Sequence, residues 1–187
     1  MNNKTFFTIQ DWHTLQFAPL WVTFAWAGLD GKIGDKQLEV LNSEIKKMVD
    51  KIFFAFFDIT GKFQKKGREF PKGELELEKV LIEEGWNLLD VVLASAPLKS
   101  TKEEHWVDKV QSMFFLDPRT PEEGLKDVAD LLNRKASTEH ATEFKDFLLE
   151  LNRKISETHK SGFLGLARKQ KKKREEAIQL VSNALQT

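Results

Sequence analysis

Three carboxylates lie around a glycine-rich turn in residues 25–41, AWAGLDGKIGDKQLEVL. Asp30 follows an apolar segment, and Asp35 and Glu39 begin the next segment, where their i, i+4 spacing places them on one helix face. Oxygen ligands of this kind bind a divalent cation or a basic group of a partner. The stretch is not an EF-hand, because the twelfth position of a loop starting at Asp30 is Leu41 rather than glutamate. We therefore expect Asp30, Asp35 and Glu39 to form a candidate metal site, with no other cofactor.

The same turn has a second interpretation that needs no ligand. Gly28 and Gly31 can adopt positive φ angles that end one helix, and Gly34 or Asp35 can cap the next. In this interpretation the glycines only connect two helices in an αα-hairpin. Both interpretations predict that one helix ends near residue 30 and that another begins near residue 35.

A second charged stretch lies near the carboxyl terminus. Residues 153–174 contain nine basic residues and one acidic residue, which gives +8 there and, since the formal net charge is zero, −8 elsewhere. A helix beginning close to Lys171 would place cations at its positive end, where a phosphate, an anionic lipid or an acidic protein would stabilise them. The alternative is an exposed charged loop, or a helix that starts earlier. The candidate anion-binding residues are Arg168, Lys169, Lys171, Lys172, Lys173 and Arg174.

The expected partner is a protein, and a membrane surface is the alternative. Nucleic acid is not expected, because the total charge is zero and no aromatic residue interleaves the basic run. The sequence does not predict an oligomeric state.

No motif for catalysis is recognisable. The histidines at positions 13, 105, 140 and 159 lack the spacing of a zinc-binding helix, and residues 61–67 lack the Gly-Lys-Ser/Thr of a phosphate-binding loop. The chain contains no cysteine, which excludes a thiol nucleophile and fits a reducing compartment. We therefore expect a non-enzymatic protein in the cytoplasm. The amino terminus does not resemble a signal peptide, and the apolar window 17–29 is shorter than the roughly twenty residues of a membrane span.

The elements that position these residues are expected to be helices. With 41% hydrophobic and 31% charged residues, the chain resembles a globular domain, and no run alternates with period two. Capping boxes precede two of the expected helices, and Ser137 or Thr138 can cap a third. One expected helix runs from residue 11 or 17 to 29, one begins at 35, one spans 74–94, two follow residues 101–104 and 120–123, one begins at 138, and the last ends near 185. The first is apolar nearly all round and should be central, with Pro19 near its first turn or at a kink. The helix from 138 carries an apolar stripe at Phe144, Phe147, Leu148, Leu151 and Ile155. We expect one all-α domain over residues 1–187, a compact bundle of about seven helices, with loops near 60–73 and 160–174.

The turn between the first two expected helices, at residues 27–33, resembles that of the tellurite-resistance TerB-like family of all-helical bacterial proteins. In that family a helix ending in Ala-x-x-Asp-Gly-x-Ile/Val runs into the acidic start of the next helix, as in residues 27–33 here. Longer members carry a Ser-Gly-Gly-Phe-Leu-Gly-like stretch before a last helix, which residues 160–165, KSGFLG, resemble. This chain differs at Gly34 and Gln37, which replace acidic residues common in the family.

The resemblance implies a fold and a general role. It implies two helix-turn-helix hairpins that echo each other, one in each half of the chain. It also implies a part in a bacterial stress response, and an acidic surface on which Asp30 is the clearest matching position.

Overall fold

The computed structural model describes residues 7–30, 34–44, 46–47, 88, 92, 117–158 and 167–186. All regular structure in these residues is α-helical, which confirms the all-α prediction for this part of the chain. The helices are α1 (Ile9–Asp30), α2 (35–44), α3 (Pro121–Lys135), α4 (Thr138–Thr158) and α5 (Ala167–Gln186). None of these described helices is both long enough and apolar enough to cross a membrane.

Helix α1 is the centre of the bundle. Its buried side chains point in all directions around the helix axis, as Trp12, Leu15, Trp21, Phe24 and Trp26 illustrate. A helix that is apolar all round must be covered on all sides. Helices α1, α3, α4 and α5 all contact one another. These contacts confirm the prediction that the first apolar helix is buried.

The amino-terminal end of α1 differs from the expectation. The helix begins at Ile9, so the expected start at Phe17 is wrong and the start at Asp11 is two residues late. Thr8 caps it: the Thr8 N–H donates to Asp11 Oδ2 at 2.6 Å, and the Asp11 N–H donates to the Thr8 hydroxyl at 3.2 Å. Pro19 therefore lies in the helix interior rather than in the first turn. The Thr23 hydroxyl donates to the Pro19 carbonyl at 3.0 Å.

Helix α2 begins where the sequence predicted. Gly34 precedes it, and the Gly34 carbonyl accepts from the Leu38 N–H at 3.2 Å. Leu38 and Leu41 are buried. The helical residues Leu88 and Val92 are also buried and lie one turn apart, in agreement with the expected third helix. The remainder of that helix, the helix expected after residue 104 and the loop expected at 60–73 lie outside the described residues.

The carboxyl-terminal helices follow the predicted caps and apolar stripes. The Glu123 N–H donates to the Thr120 hydroxyl at 3.3 Å and the Thr120 N–H donates to Glu123 Oε2 at 2.8 Å, which confirms the second capping box. Ser137 caps α4 by accepting from the His140 N–H at 3.2 Å. The expected stripe on α4 is buried at Phe144, Phe147, Leu148, Leu151 and Ile155. Helix α5 buries Ala177, Val181, Ala184 and Leu185.

Candidate functional site

The turn between α1 and α2 exposes two of the three candidate carboxylates. Helix α1 ends at Asp30, and α2 begins directly after Gly34. The side chains of Asp35 and Glu39 are exposed and share one face of α2. The side chain of Asp30 lies outside what the structure describes, so its convergence with the other two stays a prediction.

No described cation neutralises Asp35 or Glu39. Neither carboxylate forms an ion pair with a residue in the described part of the chain. Among the described residues, no three histidine, aspartate or glutamate side chains are grouped so that they could hold a metal ion. A cation site of three such ligands at this turn would need one from outside the described side chains, and Asp30 is the residue that the sequence predicts for it.

Gln37 fixes the geometry of the turn, and the sequence analysis did not assign it this role. It is only 3% exposed, and its Oε1 accepts from the Gly34 N–H at 2.8 Å. This bond is the half of a capping box in which the third helical residue reaches back to the cap. The signal was present in the sequence as a glutamine three residues after Gly34. The cap and the buried Leu38 set the rotation of α2 so that Asp35 and Glu39 point outward.

The candidate anion-binding residues, which lie between positions 168 and 174, all belong to α5. The helix begins at Ala167, four residues before the start near Lys171 that the first alternative requires, and residues 167–174 are helical, so the expected loop at 160–174 is wrong for these residues. Alanine, arginine, lysine and glutamine all have high helix propensity, which explains why the helix extends to Ala167. The alternative in which the helix starts earlier is therefore the one observed.

The candidate cations of α5 differ in exposure. The side chains of Lys171 and Lys172 are 76% and 81% exposed, while Lys173 and Arg174 are half-buried. Glu175 lies 3.9 Å from the Lys171 ammonium, and Glu176 lies 3.6 Å from that of Lys172. The side chains of residues 168 and 169 lie outside the described part of the structure. Anion binding by this segment stays a prediction.

A second charged cluster, which the sequence analysis missed, joins the segment before α3 to α1. The Arg119 guanidinium donates to Asp117 Oδ2 at 2.5 Å, to Asp117 Oδ1 at 2.9 Å and to Asp127 Oδ2 at 2.9 Å. It also lies 4.6 Å from the centre of a Trp21 ring and donates to the Thr14 hydroxyl at 3.4 Å. The hydrogen bonds from Arg119 hold the pKa of Asp117 below its usual value, although burial opposes them.

This arginine cluster has a structural role. Asp117, Arg119 and Asp127 are close in sequence, but Arg119 is 105 residues from Thr14, so no local spacing in the sequence predicts the contact with α1. The bonds to Asp117 raise the pKa of Arg119, and burial acts in the opposite direction. The guanidinium is held by Asp117 and Asp127, and its contacts with Trp21 and Thr14 join this segment to α1.

Comparison with known proteins adds no assignment. No protein-family model, curated protein or solved structure matches the chain. The resemblance to TerB-like proteins therefore depends on residues 27–33 and 160–165 alone. Most of these residues, including all of 160–165, lie outside the described side chains.

Proposed function

We propose that the chain is a non-enzymatic, TerB-like helical domain that binds a protein partner or a divalent cation through the α1–α2 turn. In this proposal the full chain is a bundle of about seven helices and acts in a bacterial stress response. The observation that supports it is the exposure of Asp35 and Glu39 on one face of α2, directly after the end of α1.

The surroundings of the turn suit a binding surface. Its backbone is held by the bond between the Gly34 N–H and Gln37 Oε1, and its inner side by the buried Leu38 and Leu41. Two carboxylates held on a rigid helix lose little conformational freedom on binding, which favours recognition of a cation or a basic group. Trp26 lies one turn before Asp30 and donates to Asn152 Oδ1 at 2.8 Å, so its indole reports on the end of α1.

The cation version of the proposal is tested by titrating Ca²⁺, Mg²⁺ and Zn²⁺ while tryptophan fluorescence is recorded. We expect saturable changes that disappear in Asp30→Asn/Asp35→Asn/Glu39→Gln. The matched control removes three other exposed carboxylates, Asp130→Asn/Glu139→Gln/Asp146→Asn, and should respond as the wild type does. A response that survives in the first variant, or that is lost equally in both, would contradict a cation site at the turn.

The protein version is tested with a lysine-rich peptide as the model for a partner's basic group. At low ionic strength we expect the peptide to bind the wild type and the control variant at least tenfold more tightly than the turn variant. Equal affinities of the two variants, both below that of the wild type, would mean that the peptide senses only total charge, and equal affinities of all three proteins would mean that it binds elsewhere. Either result would remove the turn as a recognition surface.

A further inference from the structure

The first two turns of α5 form a strongly basic segment, and the function proposed for the α1–α2 turn does not involve it. We propose that the basic surface of α5 at residues 171–174 docks the protein onto the phosphate headgroups of an anionic lipid bilayer. The proposal is independent of the α1–α2 turn, which lies in another part of the sequence and has the opposite charge.

The packing of α5 determines which of its side chains face outward. Ala177 and Val181 are buried against the other helices, together with Ala184 and Leu185. At 100° per residue, Lys172 lies nearly opposite to this buried stripe. Its side chain is 81% exposed, and that of Lys171 is 76% exposed. The fold therefore presents these lysines to the solvent on a fixed helix.

The intramolecular partners of these lysines are weak competitors for an external anion. Glu175 and Glu176 lie 3.9 and 3.6 Å from the two ammonium groups, and both carboxylates are more than half exposed. Exposed pairs of this kind contribute little to stability and are screened by salt. An array of phosphates can therefore replace them at small cost.

The distribution of charge favours a surface as the occupant. Residues 168–176 carry six basic and two acidic residues, and residues 177–187 carry no charged residue, so the positive charge is concentrated at one end of α5. The chain outside residues 153–174 carries −8. An anionic bilayer attracts the basic end and repels the remainder, which orients the whole molecule.

The composition of α5 also favours phosphate headgroups over nucleic acid as the ligand. The helix contains no aromatic residue on which bases could stack. Its exposed ammonium groups match phosphate oxygens, which a bilayer of anionic lipid presents at high density. Since no described helix can span a membrane, the interaction that we propose lies at the headgroup surface.

The experiment is flotation of the full chain with phosphatidylglycerol–phosphatidylcholine vesicles and, separately, with phosphatidylcholine vesicles. We expect the wild type to float only with the anionic vesicles and to be released at high salt. At about 1 kcal/mol per basic residue, Lys171→Gln/Lys172→Gln should reduce the partition coefficient about thirtyfold. The matched control, Lys36→Gln/Lys46→Gln, removes the same charge from exposed positions on α2 and its continuation and should float like the wild type.

Three results would overturn the proposal. The first is equal flotation of the wild type with both kinds of vesicle, or with neither. The second is an equal effect of the α5 and control variants, which would assign the binding to total charge. The third is tight binding of soluble inorganic polyphosphate without flotation, which would assign the phosphate chemistry to a soluble ligand. Circular dichroism of each variant checks that the exposed substitutions leave the helices intact.

Discussion

At the scale of single residues, a few polar side chains decide how the buried helices fit together. Asn152 is 2% exposed, accepts from the Trp26 indole N–H at 2.8 Å and donates to the Ile178 carbonyl at 3.5 Å. It thereby joins α1, α4 and α5. A buried donor without an acceptor costs about 1–3 kcal/mol, so these bonds favour one arrangement of the three helices over others.

The closest packing between α1 and α3 depends on Gly124. A Cβ atom at this position would overlap the Trp21 ring. Alanine gains up to about 1 kcal/mol in helix propensity over glycine, whereas overpacking a core costs about 1–3 kcal/mol. We therefore expect Gly124→Ala to lower the free energy of unfolding in urea by about 1–2 kcal/mol.

A double substitution separates the two effects at Gly124. In a Trp21→Leu background the ring is absent, and only the gain in helix propensity remains. Gly124→Ala should then be neutral or stabilising. An equal loss of stability in both backgrounds would show that the Trp21 ring is not what restricts this position.

At the scale of elements, short side-chain bonds set where α1, α2, α3 and α4 begin. Thr8 and Asp11 start α1, Gly34 and Gln37 start α2, and Ser137 starts α4. Each bond gives an acceptor to a backbone N–H at the start of a helix, where the helix itself provides none. The caps of α2, α3 and α4 are local in sequence, and for this reason the starts of these three helices could be predicted.

The cap of α3 is the one most directly tested. Thr120→Ala removes the hydroxyl that accepts from the Glu123 N–H, and we expect a loss of about 1 kcal/mol in the free energy of unfolding. Thr142→Ala serves as the control, since Thr142 is exposed within α4 and alanine has the higher helix propensity. Urea denaturation of both variants gives the comparison. If Thr120→Ala were as stable as the control, the capping box would contribute nothing to the stability of the protein.

At the scale of the whole molecule, ion pairs connect helices that are distant in sequence. Asp11 Oδ2 lies 2.6 Å from the Lys135 ammonium and joins α1 to α3, and Glu44 lies 2.7 Å from that of Lys154 and joins α2 to α4. Burial raises the pKa of both carboxyls, but hydrogen bonds from lysine at both sites, and from Thr8 at Asp11, outweigh it. The net pKa of each is lowered.

These lowered pKa values predict how stability depends on pH. The unfolded state binds more protons than the folded state in acid, so the contribution of Asp11, Glu44 and Asp117 is complete above about pH 5 and is lost as the pH falls through the folded pKa values. We expect Asp11→Asn/Glu44→Gln to be less stable than the wild type at pH 7. The two proteins should approach each other in stability toward pH 3.

Urea unfolding at a series of pH values measures this difference. The control is Asp130→Asn/Asp146→Asn, which removes two exposed carboxyls that form no ion pair with other described residues. It should retain the wild-type slope. A constant difference between the wild type and Asp11→Asn/Glu44→Gln at all pH values would show that the loss is one of packing rather than of proton linkage.

The sequence by itself determined the features that depend on near neighbours. The apolar stripe of α4, the capping box of Thr120 and Glu123, and the start of α2 at residue 35 all follow from side chains within one or two turns of each other. Local bonds and helical periodicity act over this range, so a single segment carries the whole signal. The position of Asp35 and Glu39 on one helix face also followed, because their spacing is i, i+4.

Only the tertiary structure decided what depends on distant partners. Arg119 meets Trp21 and Thr14 across the interface between α3 and α1, and Lys135 meets Asp11 across more than a hundred residues. Pro19 remains inside α1 because the surrounding helices bury this helix, and packing outweighs the local preference of proline for a first turn. Tertiary contacts of this kind form only when the chain has folded, so no spacing in the sequence records them.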